Sequence, residues 1–368
     1  MSPPRLPPEL IDLILSGHGS DSRRDMLACA LVCRDWLVFA RGRLVIRIDS
    51  RSKAALFIAL IQAPTTTLPA TISQLVLAPA WGETPEILPI LPMLSNFPAL
   101  RSLTLYFIHL TNSLPTLPSL TKLTLASCGF PADSGFICWL AKLPQLRDLV
   151  FSNCTVYRAS AEERKSLPTV NLDTLVLDGN DIPTDSSSDL CLLQARKLTF
   201  QRQSPDVVSI FLHRLGTHLT HLCLLPDVPS TLTFIHTAHL THLEIQNAFG
   251  FGYGIDANAH SHNQSFRISP HLHSLLGRIT PHNVRLRTLI FHAMRASNRG
   301  LRGGTVTCVT ELLGQLGLEE LPELRLIVRE SGVMNVCTKL RAVIRGCTGR
   351  TTVVGIVSGR VVARSGQK

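Results

Sequence analysis

The chain has 368 residues, of which 45% are hydrophobic and only 5% aromatic, and it carries a formal net charge of +10. That length buries a large core but exceeds one compact unit of ordinary size, so two units or one extended array are expected. The basic residues are mostly scattered, and the one local excess (Arg341, Arg345, Arg350, Arg360, Arg364 and Lys368) lacks interleaved aromatics. This pattern argues against a nucleic-acid or membrane partner and reads as a solvated strand and tail.

The start, Met1-Ser2-Pro3-Pro4-Arg5-Leu6-Pro7-Pro8, has prolines where a secretory signal needs an apolar run. No later segment offers about 18 uninterrupted apolar residues. The ten cysteines form no CxxC pair and no dense framework, so reduced, mostly buried thiols are expected, in a soluble protein of the cytoplasm or nucleus.

From Leu6 to Leu15 the apolar residues Leu10, Ile11, Ile14 and Leu15 fall on one side of a short helix, with Pro8 and Glu9 suited to its first turn. Ser16 to Asp21 ends it and offers a cap for a second helix, from about Ser22 to Val32. A third begins near Arg34 and carries Trp36, Leu37 and Phe39. Three helices this short cannot bury all their apolar faces against one another.

Leu6-Pro7 with Glu9, Leu10 and Ile14, followed by Leu27, Leu31-Val32-Cys33-Arg34 and Trp36, resembles the F-box, over about Leu6 to Leu44. The Gly-Ser-rich loop from Ser16 to Ser22 is longer than the tightest members of that family require. The resemblance implies docking onto the adaptor subunit of a cullin-RING ubiquitin ligase, through Leu6, Pro7, Leu10, Ile11, Ile14, Val32, Cys33 and Trp36. A helical cap that merely shields the first repeat is the plainer alternative.

From Ile72 onward one pattern returns. Leu120-x-x-Leu123-x-Leu125-x-x-Cys128, Leu146-x-x-Leu149-x-Phe151-x-x-Cys154 and Leu172-x-x-Leu175-x-Leu177-x-x-Asn180 fit the leucine-rich-repeat template, with Leu123, Leu149 and Leu175 spaced by 26 residues. In that template alternate strand residues point to a shared core, and the Asn or Cys side chain donates to carbonyls of the turn that follows. Less regular copies begin at Leu100, Ala195, Leu219, Leu240 and Leu286, with Ile72–Leu77 an early one and Leu321–Leu324 a late one, giving about nine or ten coils.

Helical period marks Ala132 to Leu143, Pro205 to Leu215 and Thr307 to Leu316 as the convex side. Prolines at 98, 118, 144 and 322 are expected to end helices and set an extended entry to the next strand. Between Leu243 and Leu289 the spacing doubles, leaving either a projecting loop or a hidden coil, with Gly250, Gly252 and Gly254 read as flexible loop. Val353 to Val362 reads as a closing hairpin or a frayed tail.

Catalytic signatures are missing: the sequence has no GxSxG, no Walker-type loop and no HExxH. The pairs His218/His221 and His239/His242 occupy matching repeat positions, as surface residues of the repeat rather than metal ligands, and His260 and His262 fall in the expected loop. Neither a cofactor, nor a metal, nor enzymatic activity is expected.

The fold expected is α/β, a leucine-rich-repeat solenoid with parallel strands on its concave face and helices on its convex face, preceded by a small three-helix F-box. Its parts are an F-box-like helical domain over 1–47, the solenoid over 48–335, and a C-terminal cap or tail over 336–368. Strand residues that flank the central leucines line up across the sheet as a recognition surface. Ser102, Thr104, Tyr106, Lys122, Thr124, Asp148, Ser152, Thr174, Asp178, Lys197, Gln201, His221, His242, Glu244 and Gln246 form it, a mixed and mostly polar set that suits a protein partner. The expected function is substrate receptor of an SCF-type ubiquitin ligase in ubiquitin-dependent protein degradation; the alternative is a protein-binding repeat scaffold without ligase association.

Overall fold

The structure is a computed structural model that describes residues 10, 28, 40, 44–64, 68–79, 88–109, 114–130, 135–156, 168–179, 192–224, 237–251, 266–268, 285–293, 325–330, 352–357 and 360–364. Over these the fold is α/β, with few helices and an open, largely parallel arrangement of strands. Contacts divide the chain into two units, Met1–Leu172 with Asp181–Leu193, and Asp173–Asn180 with Gln194–Lys368.

In the first unit, β1 (Val45–Ile48), β2 (Gln74–Leu77), β3 (Ser102–Tyr106), β4 (Lys122–Ala126) and β6 (Asp148–Ser152) pair side by side in parallel. The short strands β5 (Gly129–Phe130) and β7 (Thr155–Val156) make a second small ladder. Register aligns Ile46, Leu75, Leu103, Leu123 and Leu149 in one row, and Ile48, Leu77, Leu105, Leu125 and Phe151 in another. Leu103, Leu123, Leu125 and Leu149 are fully buried, each side chain contributing about 1.5–3 kcal/mol by leaving water.

The sheet begins earlier than the repeat pattern suggested. β1 lies ahead of Ile72, and its Val-Ile-Arg-Ile sequence keeps the alternation while lacking the leucines by which the template is recognised.

Helix α1 (Arg51–Gln62) starts where the Ser50 hydroxyl accepts from the Lys53 amide, and it buries Ala54, Phe57 and Ile61 at helical spacing. Phe57 stacks on Phe97 at 5.9 Å between ring centroids. After α2 (Leu68–Thr71) and α3 (Ile90–Met93), α4 (Gly135–Ala141) falls within the helix expected over 132–143. Its Phe136 lies 4.1 Å from Phe130 and 5.5 Å from Phe151, and Trp139 donates to the Pro115 carbonyl at 3.1 Å. Aromatic side chains thus fill the space between helix and strands.

The second unit continues the theme. It holds most of β8 (Val170–Asp178) and of β9 (Leu193–Gln201), then α5 (Pro205–Leu215), β10 (His221–Leu224) and β11 (His242–Phe251). Helix α5 covers the span its period predicts, capped by Ser204 with Pro205 in its first turn. Strands β9, β10, β11, β13 (Thr288–Ala293), β14 (Arg325–Glu330) and β15 (Thr352–Val357) pair in parallel in that order.

β11 pairs directly with β13, so no other strand of the sheet lies between them. Within the interval β12 (Phe266–Ile268) pairs antiparallel with Phe249–Phe251, so Gly250 belongs to a strand rather than a flexible loop, while Gly252 and Gly254 lie outside the described residues. At the far end β16 (Arg360–Arg364) pairs antiparallel with β15, which is the hairpin reading of 353–362. The helix expected over 307–316 lies outside the described residues.

Local chemistry repeats from coil to coil. Pro98, Pro118 and Pro144 occupy the second place of a tight turn, with Leu100, Leu120 and Leu146 donating to the carbonyls of Phe97, Leu117 and Leu143 at 3.1–3.2 Å. They therefore shape the turn itself rather than only ending a helix. Gly216–Leu219 and Thr237–Leu240 close the same turn without proline, at 3.3 and 2.9 Å.

Past each turn, two successive amides converge on one carbonyl of the neighbouring coil. Thr121 and Lys122 both reach Arg101, Arg147 and Asp148 reach Thr121, and Thr241 and His242 reach Thr220.

At the strand exits Phe107, Ser127, Asn153 and Arg202 all adopt φ of 50–54°, with Gly179 at 108°. One left-handed residue therefore recurs at the same place in successive coils. The next buried position holds Cys128 or Cys154. Cys128 donates to the carbonyls of Leu105 and Ala126, and Cys154 to those of Leu125 and Ser152, at 3.2–3.5 Å. The thiols thus face back to the strand ends rather than forward to the following turn, because the left-handed residue reverses the chain before them. Asn180, in the equivalent position, lies outside the described residues.

Candidate functional site

Alternation in the strands sends leucines inward and leaves the intervening residues on the opposite face. In the first unit Ser102, Lys122 and Asp148 share one outward row, Thr104, Thr124 and Val150 the next, and Tyr106, Ala126 and Ser152 the third. Ser102, Thr104, Tyr106, Thr124, Asp148 and Ser152 are half-buried and Lys122 is exposed, as expected for a solvated sheet face.

In the second unit Thr174 and Asp178 on β8, Gln201 on β9, and Glu244 and Gln246 on β11 are half-buried, while Lys197 is exposed. Lys197, His221, His242, Thr288, Arg325 and Thr352 form one row across β9, β10, β11, β13, β14 and β15. Asp178 is held by Arg202, whose Nη2 is 2.8 Å from Oδ1.

Not all of this face is open. Thr199, Cys223 and Ile290 alternate with core leucines, yet they are only 8%, 4% and 8% exposed. Gln246 donates from Nε2 to the Cys223 sulfur at 3.2 Å. Burial, with Glu244 close by, pushes the Cys223 thiol up to about 12. Cys128 is likewise held well above the ordinary thiol range, by its contact with the Cys154 sulfur and by burial, so both act as packing and hydrogen-bonding groups rather than nucleophiles.

The histidines sort differently from their sequence spacing. His218 and His239 sit in the exposed turns, and Arg285 donates to His239 Nδ1 at 2.8 Å. His221 and His242 instead stack across β10 and β11, with centroids 4.0 Å apart and planes 10° from parallel. The sequence places the two histidine pairs at matching repeat positions, and the register of β10 and β11 turns that match into direct contact between His221 and His242.

Of the adaptor-contact residues expected from the sequence, Leu6, Pro7, Ile11, Ile14, Val32, Cys33 and Trp36 lie outside the described residues. Leu10 is helical and 45% exposed. His260 and His262 are also outside the described residues, among which no cluster of three or more potential metal ligands occurs. No helix among them is long and apolar enough to cross a membrane. Compared with known proteins, the sequence matches no family model and no curated protein.

Proposed function

We propose that the chain is the substrate-recognition subunit of an SCF-type cullin-RING ubiquitin ligase, in which F-box-like N-terminal helices dock the adaptor and a leucine-rich-repeat solenoid holds a target protein. The observation that carries the reading is the coil-to-coil recurrence of buried leucines with polar residues aligned on the other face. Such a face offers many small polar contacts along one surface, which suits a protein partner. The docking half rests on the resemblance of the N-terminal sequence to the F-box.

Ubiquitin transfer in this reading is catalysed by other subunits, and the chain contributes geometry alone. Affinity purification of the full chain is the test, comparing wild type with a Leu6→Ala, Pro7→Ala, Trp36→Ala variant. Wild type recovers the adaptor and the variant, with an unchanged circular dichroism spectrum, does not. Recovery from neither favours the scaffold without ligase association. Proximity labelling with and without proteasome inhibition identifies the target, which accumulates only under inhibition.

A further inference from the structure

Arg196, Thr220, Thr241 and Arg287 stand at the same level of β9, β10, β11 and β13, because the amide of each reaches the carbonyl of the one before: Thr220 to Arg196, Thr241 to Thr220 and Arg287 to Thr241, all at 2.9 Å. The next row of the register is Lys197, His221, His242 and Thr288. Basic residues scattered along the chain are thereby gathered. Arg196 and Lys197 lie at one end of the two rows and Arg287, with Arg285 two residues before it, at the other, and all four are exposed.

Between the two ends lie Thr220 and Thr241, whose hydroxyls donate to the Arg196 and Thr220 carbonyls, and the His221 and His242 rings stacked on each other. Arg285 donates to His239 Nδ1, and since a guanidinium has five N–H donors this bond positions the group without exhausting it. Among the described residues of β9 to β13 and of the turns that lead into them, Glu244 is the one carboxylate, and it is half-buried. The neighbouring β8 adds Asp178, which Arg202 holds, and the exposed Asp173.

Neighbouring strands lie about 4.8 Å apart, so three spacings separate the Arg196 and Arg287 backbones by about 14 Å. An extended chain advances about 3.3–3.6 Å per residue, so side chains four residues apart span that interval. We propose that these rows bind an extended segment of a protein partner whose Asp or Glu residues recur four apart, one acidic group on Arg196 and Lys197 and the next on Arg285 and Arg287.

The spacing of the cations selects this occupant. A single phosphoryl group is gripped by cations that converge on one point, whereas these form two separate clusters. A nucleic-acid strand needs charge or stacking aromatics along its whole length, and the middle here holds two threonines and two rings that already stack on each other. Burial, His242 and Lys197 lower the His221 pKa against the opposing Glu244, so that ring is neutral at neutral pH and the charge belongs to Arg and Lys. The inference rests on the repeats holding a protein target and not on adaptor docking.

The test is fluorescence anisotropy with the full chain and a labelled Gly-Ser peptide that bears two Asp-Asp pairs starting four residues apart. It binds saturably, and about 5-fold tighter than the same peptide with the pairs side by side. Arg196→Gln with Lys197→Gln, and Arg285→Gln with Arg287→Gln, each weaken binding by about 10-fold at an unchanged urea midpoint. Lys142→Gln, which removes an exposed cation of the first unit, leaves binding as it was. Absence of binding, indifference to the spacing of the pairs, or an equal loss in Lys142→Gln overturns the proposal. So does tighter binding of a phosphoserine peptide or a single-stranded oligonucleotide of equal charge. Adaptor recovery in the purification above is a separate readout and bears on the ligase reading alone.

Discussion

Arg202 turns back from the exit of β9 to grip Asp178 at the end of β8, with Nε and Nη2 at 3.0 and 2.8 Å from Oδ1 and Nη2 at 3.0 Å from Oδ2. It does so from a left-handed backbone, φ 52°. One residue thus joins a favourable pair to an unfavourable conformation.

These two effects separate by substitution. The Arg202 side chain is 62% exposed, so the pair is worth no more than about 1 kcal/mol. Replacing Arg202 with Ala removes the pair and keeps the strain, while Gly removes both, the left-handed penalty for a residue with a Cβ being roughly 1–2 kcal/mol. Urea unfolding should therefore rank Arg202→Gly above Arg202→Ala in stability. An alanine variant as stable as the glycine one would mean that the turn carries no strain.

The inward and outward rows of the first unit should differ sharply. Leu149 is fully buried, and Leu149→Ala should lose about 2–5 kcal/mol. Thr124, in the next row of the register, faces the other side, and Thr124→Ala should stay within about 0.5 kcal/mol of wild type. Equal losses in chemical denaturation would contradict the alternation.

Thiol chemistry should follow burial. Cys128, Cys154 and Cys223 are buried and Cys138 only half-buried, so brief iodoacetamide treatment of the native chain should label Cys138 first among these four, read by peptide mass spectrometry. With its folded pKa raised from 9.0 to about 12, Cys223 keeps its proton longer in the folded than in the unfolded chain. Its stabilising contribution is full below pH 9 and declines as pH rises from there towards 12. The fall in unfolding midpoint across that range should be shallower in Cys223→Ala than in wild type, and parallel curves would refute the assignment.

Asp49 accepts from the Lys53 ammonium one helical turn away, and this bond, with help from Arg47, holds its carboxyl below the ordinary value of 3.8. A depressed carboxylate stabilises above its unfolded pKa, and the contribution is lost as pH falls through the folded one. A carboxyl-carbon NMR titration should place Asp49 below 3.8 in wild type and return it upward in Lys53→Met. No movement in that variant would mean that the two charges do not interact in solution.

Much was legible in the sequence because the strand signal is local. Leu123 and Leu149 announce their inward direction by alternation, and Pro205 with Ser204 marks a helix start from nearest neighbours alone. Strand β1 escaped because Val45, Ile46 and Ile48 satisfy the physics of the row without matching the leucine template. The interval between Leu243 and Leu289 stayed open because length alone does not say whether a segment pairs or bypasses.

The sequence by itself determined which strand residues of the regular coils face the core, since that follows from side-chain period. Only the tertiary structure decided which residues of different coils meet: that Arg202 takes Asp178, that Cys154 donates to Leu125, and that His221 stacks on His242 rather than siding with His218. Those pairings depend on register between strands distant in the chain. Register comes from the turns and the converging carbonyls that dock each coil on the last, which no single repeat encodes alone.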